Sequence, residues 1–142
     1  TKFYYDDAGQ MIKSESTGSM EDITEYVNDE YGNAVTIKYV STDEKTSAGL
    51  LEYKNTYANG LLASIEAVCK EGDDITMYSR YTYDGENLIL NEEFDKDCKT
   101  GELKFSFKKI FEYDTDGLIT KTSFTSTYTD GVKTGVYNYE KW

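Results

Sequence analysis

The heptapeptide Tyr113-Asp114-Thr115-Asp116-Gly117-Leu118-Ile119 lies between two runs of alternating apolar and polar residues. Asp is favoured at the first position of a type I turn, where its side chain accepts hydrogen bonds from backbone N–H groups. Gly is favoured three residues later, where the backbone takes a positive φ. A type I turn followed by such a residue closes many β-hairpins with a bulge. The heptapeptide therefore predicts the tip of a tight hairpin.

The same pattern, Tyr-Asp-x-x-Gly-x-apolar, recurs in four weaker copies along the chain. These copies occupy residues 5–11, 28–32, 56–62 and 83–89. In the last copy Asn87 takes the place of Gly, and in the third copy Asn59-Gly60 also fits a two-residue turn in a shifted register. The recurrence of this pattern along the chain indicates a repeat architecture whose unit is one long hairpin.

Longer polar turns alternate with these tips and divide the chain into about eleven strands. The predicted strands lie near residues 2–6, 9–17, 22–28, 33–42, 50–56, 61–69, 75–83, 88–97, 102–113, 118–129 and 133–141. The pattern predicts an all-β, antiparallel β-meander that forms a single domain over residues 1–142. Because a one-faced sheet has to bury its apolar side, we expect it to be strongly curled or barrel-like. The alternative is an open single-layer repeat sheet.

The residues that flank the tip at Gly117 predict a strand register. If Tyr113 lies opposite Leu118, antiparallel pairing places Phe107 opposite Phe124. Side chains alternate between the two faces of a strand, so this register puts apolar residues on one face and polar residues on the other.

The hairpin whose tip is at Asp84 predicts the same separation of faces. There Tyr83 lies opposite Leu88, and Met77 lies opposite Phe94. A slip of one residue would move every side chain of a strand to the other face. The agreement between the two hairpins therefore supports the predicted register of both.

The two registers place many of the ring-bearing side chains on one predicted face. That aromatic face consists of Tyr81, Tyr83, Phe94, Phe105, Phe107, Phe111, Phe124 and Tyr128. Large exposed apolar patches are unusual in soluble domains, so we expect sheet closure or a second copy of the protein to cover the face. The alternative is an exposed platform that binds sugars or a peptide, since Tyr combines stacking area with a hydroxyl.

Net charge excludes some partners. The formal charge is −12, from 15 Lys and Arg against 27 Asp and Glu. Such a surface repels phosphate backbones, so no nucleic acid is expected to bind. No apolar run approaches the roughly 20 residues of a membrane span. The partners that remain are a protein, a glycan, or a second copy of the chain docked on the apolar sheet face.

The first residue is Thr1 and not Met, which suggests a mature or trimmed fragment.

Catalytic and metal-binding patterns are not found in the sequence. The absence of His removes Ser-His-Asp and Cys-His catalysis and the commonest zinc ligand. Glu92 and Glu93 are adjacent on one predicted strand and point to opposite faces, so they do not form the carboxylate pair of a glycosidase. The acidic tip at Asp114 lacks the spacing of an EF-hand. No catalytic residue, metal ligand or cofactor is therefore predicted, and we expect the protein not to be an enzyme.

The two cysteines, Cys69 and Cys98, fall near the same end of the predicted sheet with one strand between them. Two strand spacings amount to roughly 9.6 Å. A disulfide needs Cα atoms within about 7 Å. Two free thiols are therefore favoured, and a bridge requires the loop ends to bend together.

The tips resemble the YD repeats of RHS-type bacterial surface and secreted proteins, most closely at Tyr5-Asp6, Tyr83-Asp84 and Tyr113-Asp114. Residues 128–137 also resemble MORN-type repeats, whose units run Tyr-x-x-Gly-x-x-x-Gly. The resemblance implies long antiparallel sheets that act as shells, spacers or binding surfaces, in the cell envelope or secreted. We therefore expect a non-enzymatic structural or binding module. Meander order and aromatic lining suggest an alternative, a β-barrel carrier of a small apolar ligand.

Overall fold

The computed structural model describes residues 1–16, 22–41, 49–129 and 131–139. These residues form eleven β-strands, which follow one another in chain order as an antiparallel meander. The strands are β1 (Lys2–Tyr5), β2 (Met11–Ser16), β3 (Asp22–Asn28), β4 (Ala34–Ser41), β5 (Gly49–Ala58), β6 (Leu61–Ala67), β7 (Ile75–Asp84), β8 (Asn87–Asp97), β9 (Leu103–Tyr113), β10 (Ile119–Thr129) and β11 (Gly131–Asn138). The predicted all-β meander is confirmed. No helix in the described ranges is long and apolar enough to span a membrane.

The chain divides into two compact units, Thr1–Lys54 and Asn55–Trp142. The first unit contains β1 to β4 and the start of β5, and the second contains the end of β5 and β6 to β11. Each unit is described by itself below. A single domain over residues 1–142 stays a prediction.

In the first unit, two tips have the predicted turn. At the first tip, the N–H of Gly9 donates to the carbonyl of Asp6 at 3.0 Å. The Asp6 carboxylate accepts hydrogen bonds from the N–H groups of Ala8 and Gln10, at 2.9 and 2.8 Å. Asp29 makes the corresponding bonds at the second tip. Aspartate therefore fixes these turns through its side chain, as the repeat pattern predicts.

The tip at Gly117 in the second unit repeats this geometry. The N–H of Gly117 donates to the carbonyl of Asp114 at 3.1 Å, and Gly117 has a φ of 78°. Asp114 and Leu118 close the turn with a backbone bond of 2.9 Å. Tyr113 consequently pairs with Ile119, and its predicted position opposite Leu118 is wrong.

A bulge at Thr120 shifts the register between β9 and β10 further. Phe107 lies opposite Ser126, so its predicted pairing with Phe124 is wrong by two residues. A shift of two residues leaves every side chain on its original face. Phe107 and Phe124 therefore share a face, as predicted.

The two remaining tips are two-residue turns. Asn59 and Gly60 have φ values of 54° and 78°, so the shifted-register alternative for this hairpin is confirmed. At the other tip, Asp84 pairs with Asn87 and Gly85 takes the positive φ, at 60°. The left-handed position predicted at Asn87 is therefore wrong.

Cys69 and Cys98 form a disulfide with a Cα–Cα distance of 5.8 Å. The prediction of two free thiols is wrong because the cysteines lie outside the strands, Cys69 after β6 and Cys98 after β8. Strand β7, which lies between β6 and β8, begins only at Ile75. The N–H of Cys98 donates to the carbonyl of Asp74 at 2.9 Å, so the loop ends meet at the start of β7.

Burial is shallow throughout the described residues. None of their hydrophobic side chains is fully buried, and the buried residues are small hydroxyl residues: Ser64, Ser79, Ser106 and Thr122. Within each unit, the contacts between elements join strands that are neighbours in the chain. Cross-strand pairs, backbone hydrogen bonds and the disulfide therefore take the place of a conventional core.

Candidate functional site

The predicted aromatic face divides between the two faces of the second unit. Five of its members share one face, here termed the ladder face: Tyr81, Tyr83, Phe107, Phe111 and Phe124. Phe94 and Phe105 lie on the opposite face, here termed the ion-pair face. The side chain of Tyr128 lies outside the described residues. The single predicted face is therefore wrong for Phe94 and Phe105, whereas a binding role for the eight residues stays a prediction.

Two bulges cause this division. In β8 the pair Tyr83–Leu88 forms as predicted, but Ile89 is an extra residue, and Phe94 pairs with Tyr78 in place of Met77. In β9 the extra residue is Ser106, which separates Phe105 from Phe107. An extra residue in one strand reverses the face of every residue beyond it.

Three rings of the second unit form a row across β9, β10 and β11, here termed the aromatic ladder. The ring centroids of Phe107 and Phe124 are 6.4 Å apart with an interplanar angle of 20°. Those of Phe124 and Tyr137 are 5.9 Å apart with an angle of 24°. All three rings remain partly exposed, and Tyr137 retains 59% of its surface. The ladder presents a row of near-parallel rings to solvent.

Gly135 makes room for the middle ring of the ladder. It lies opposite Phe124 in the register of β10 and β11, and its φ lies outside the left-handed region. A Cβ at this position would overlap Cε1 and Cζ of the Phe124 ring. Glycine is therefore needed here for close ring packing and not for backbone freedom.

The register arranges the centre of the ladder face as three rows of three residues. The rows are Phe107–Ser126–Lys133, Lys109–Phe124–Gly135 and Phe111–Thr122–Tyr137. The aromatic ladder is the diagonal of this arrangement. Lys109 lies on one side of the diagonal and Lys133 on the other.

A groove of about 500 Å³ lies beside the hairpin tips of the second unit. It is lined by Ala58, Asn59, Leu61, Ala63, Tyr81, Thr82, Tyr83, Gly85 and Glu86. Burial raises the pKa of Tyr81, against a hydrogen bond with Ser79 that lowers it. Burial also raises the pKa of Tyr83. Both phenols therefore stay uncharged at neutral pH and offer an apolar, hydrogen-bonding wall.

The ion-pair face carries an ion pair and a cation–π contact beside its rings. Arg80 contacts Glu92 at 2.7 Å and lies 5.4 Å from the centroid of the Phe94 ring. Phe94 and Phe105 meet edge to face at 6.1 Å. Phe94 thus already contacts a cation and another ring, and Phe105 contacts the ring of Phe94.

The described residues show no clustered catalytic chemistry. None of their groups of Cys, Asp and Glu could hold a metal ion. A second groove of about 330 Å³ contains Asp97, but its carboxylate accepts hydrogen bonds from the N–H groups of Lys99 and Thr100. These bonds hold the pKa of Asp97 below its usual value and use the side chain to cap a turn. Glu92 and Glu93 face opposite sides of the sheet.

Sequence reasoning missed four residues of this site: Lys109, Lys133, Gly135 and Tyr137. An isolated Gly within a strand is a signal of close approach by another group, and Gly135 lies inside β11. The other three, Lys109, Lys133 and Tyr137, join the site only through the register of β9, β10 and β11.

No protein-family model, curated protein or solved structure matches this chain.

Proposed function

We propose that the chain is a non-enzymatic structural or binding module of a bacterial envelope or secreted protein, and that the ladder face contacts its ligand. The aromatic ladder carries this proposal. Its three rings are held in place by three hydrogen-bonded strands, so little side-chain entropy is lost when a ligand stacks on them. Partly exposed apolar area of this kind is typical of a binding surface.

A glycan suits this surface better than a peptide does. The face of a sheet offers side chains but no free backbone groups, so an extended peptide laid across it would leave its own amides unpaired. A sugar ring has an apolar C–H surface that packs on an aromatic ring, while its hydroxyls remain in water. The half-exposed ladder meets that requirement.

The disulfide supports the proposed extracytoplasmic location. Disulfides persist in oxidising compartments such as the periplasm and the cell exterior. The Cys69–Cys98 bridge fits such an environment. The resemblance of the tips to YD repeats and of residues 128–137 to MORN-type repeats points the same way, because those repeats build surface and secreted sheets.

Phe107 and Phe105 provide a matched test, since they lie two residues apart on opposite faces. In affinity electrophoresis through gels that contain a panel of polysaccharides, at least one polysaccharide should retard the wild-type protein. Phe107→Ala should weaken that binding about tenfold, because it removes a stacking partner of about 1.4 kcal/mol. Phe105→Ala should leave the affinity within about twofold, provided that circular dichroism shows both variants folded.

Equal losses for the two variants would contradict binding at the ladder face. A second copy of the chain on that face is a different outcome. It would appear as a dimer in sedimentation equilibrium that Phe107→Ala dissociates and Phe105→Ala does not, and it would replace the glycan.

The groove beside Tyr81 and Tyr83 favours a second candidate, a carrier of a small apolar ligand. Its volume of about 500 Å³ suits a small molecule. The carrier function goes with a strongly curled or barrel-like sheet. Binding at the ladder face goes with an open single-layer sheet, which leaves the ladder accessible. Binding of the apolar fluorophore N-phenyl-naphthylamine tests the carrier. Saturable binding would favour it if Tyr83→Ala abolishes the binding and Phe107→Ala leaves it intact.

A further inference from the structure

We infer that the ligand of the ladder face is an acidic polysaccharide, in which sugar rings stack on Phe107, Phe124 and Tyr137 while carboxylates bind Lys109 and Lys133. This inference rests on the proposed function and adds the chemical class of the ligand. It comes from the charges that surround the ladder.

The centre of the ladder face is positive, whereas the protein as a whole is acidic. The whole chain carries −12. Among the nine described positions of the three rows, six of which surround the ladder, the charged residues are Lys109 and Lys133. Glu93 lies opposite Phe107 on β8 and bounds this patch. Two cations against this one carboxylate leave a local positive excess beside the stacked rings, which complements a ligand that combines ring faces with negative charge.

The positions of the two lysines add a geometric argument. Lys109 lies opposite Phe124 on β9, and Lys133 lies opposite Ser126 on β11, so the lysines flank the diagonal of rings on different sides. A polymer laid along the ladder passes between the two lysines, so a carboxylate on either edge of the polymer faces one of them.

Other polyanions match the patch less well. Nucleic-acid bases also stack on aromatic rings of a sheet. However, a strand with a phosphate at every nucleotide would continue beyond the two lysines, onto a chain with a charge of −12. An acidic peptide would leave its backbone amides unpaired on the sheet face. Both become outcomes of the test.

Neighbouring lysines on opposite faces provide the test. Lys109 lies on the ladder face, whereas Lys108 lies on the ion-pair face opposite Glu92 and Thr125. Binding of polymannuronate oligosaccharides to the full chain is measured by isothermal titration calorimetry. Neutral mannan oligosaccharides of the same linkage serve as the uncharged counterpart. We expect the wild-type protein to bind polymannuronate at least about tenfold more tightly than mannan, a preference that salt reduces.

Lys109→Gln and Lys133→Gln should each weaken polymannuronate binding about tenfold, and Lys108→Gln should change it less than about twofold. Equal loss for Lys108→Gln and Lys109→Gln would overturn the inference, because only a general charge effect would then remain. Tighter binding of oligothymidylate or polyglutamate than of polymannuronate would overturn it in favour of that other polyanion.

Failure of the inference is distinguishable from failure of the proposed function. One outcome is that mannan and polymannuronate bind equally, and that Phe107→Ala weakens this binding whereas Lys109→Gln does not. This outcome would refute the preference for acidic polysaccharides and retain the ladder as a glycan-binding site. Absence of binding to both oligosaccharides would overturn the inference as well, and the polysaccharide panel then decides the proposed function separately.

Discussion

Replacing both cysteines, in a Cys69→Ser/Cys98→Ser double variant, should lower the free energy of unfolding by about 3.5 kcal/mol. The bridge joins residues that are 29 positions apart. Removing it restores to the unfolded chain the entropy of an open loop of that length. The effect should be large for this protein, because none of its described hydrophobic side chains is fully buried and domains of this size are only marginally stable.

Urea unfolding followed by circular dichroism measures this loss. A reducing agent should lower the unfolding midpoint of the wild-type protein toward that of the double variant, and it should leave the double variant unchanged. A thiol assay on the untreated wild-type protein should detect no reactive thiol. Equal midpoints for the wild type and the double variant would show that the bridge is absent or does not constrain the chain.

Gly135→Ala should disrupt the aromatic ladder and reduce glycan binding to the level of Phe124→Ala. The added methyl group overlaps the Phe124 ring, so the ring has to swing away from its neighbours Phe107 and Tyr137. Two aromatic contacts are then lost, which should cost about 1–3 kcal/mol of stability. Binding is measured by affinity electrophoresis and stability by urea unfolding.

A double-mutant cycle separates this steric effect from a general effect of Ala in a strand. When Phe124 is already Ala, the ring that the methyl group would meet is gone. Gly135→Ala should then be neutral or stabilise the strand by about 0.5–1 kcal/mol. A destabilisation by Gly135→Ala that is equal with and without the Phe124 ring would contradict the assigned packing.

The strands and most tips were predictable because their signals are local. Asp114 and Gly117 lie three residues apart and define a turn without reference to any other part of the chain. The alternation of apolar and polar residues then fixes where each strand runs. The repeat pattern predicts the wrong turn at Asp84 because Gly85 and Asn87 both accept a positive φ, and sequence alone does not choose between them.

The faces of the site were less predictable because bulges within strands have no local signal. Ile89 and Ser106 are ordinary strand residues, yet each is an extra residue that reverses the alternation beyond it. The sequence therefore placed Phe94 and Phe105 on the wrong face. The disulfide was missed for a related reason, since it depends on where β7 begins and not on the spacing of strands.

An NMR titration tests the ladder as the binding site most directly. The aromatic ring signals of the protein are recorded while the polysaccharide that it binds most tightly is added. The ring protons of Phe107, Phe124 and Tyr137 should shift together with a common dissociation constant, while those of Phe94 and Phe105 stay in place. Shifts confined to Phe94 and Phe105, or of equal size on both faces, would contradict the ladder as the binding site.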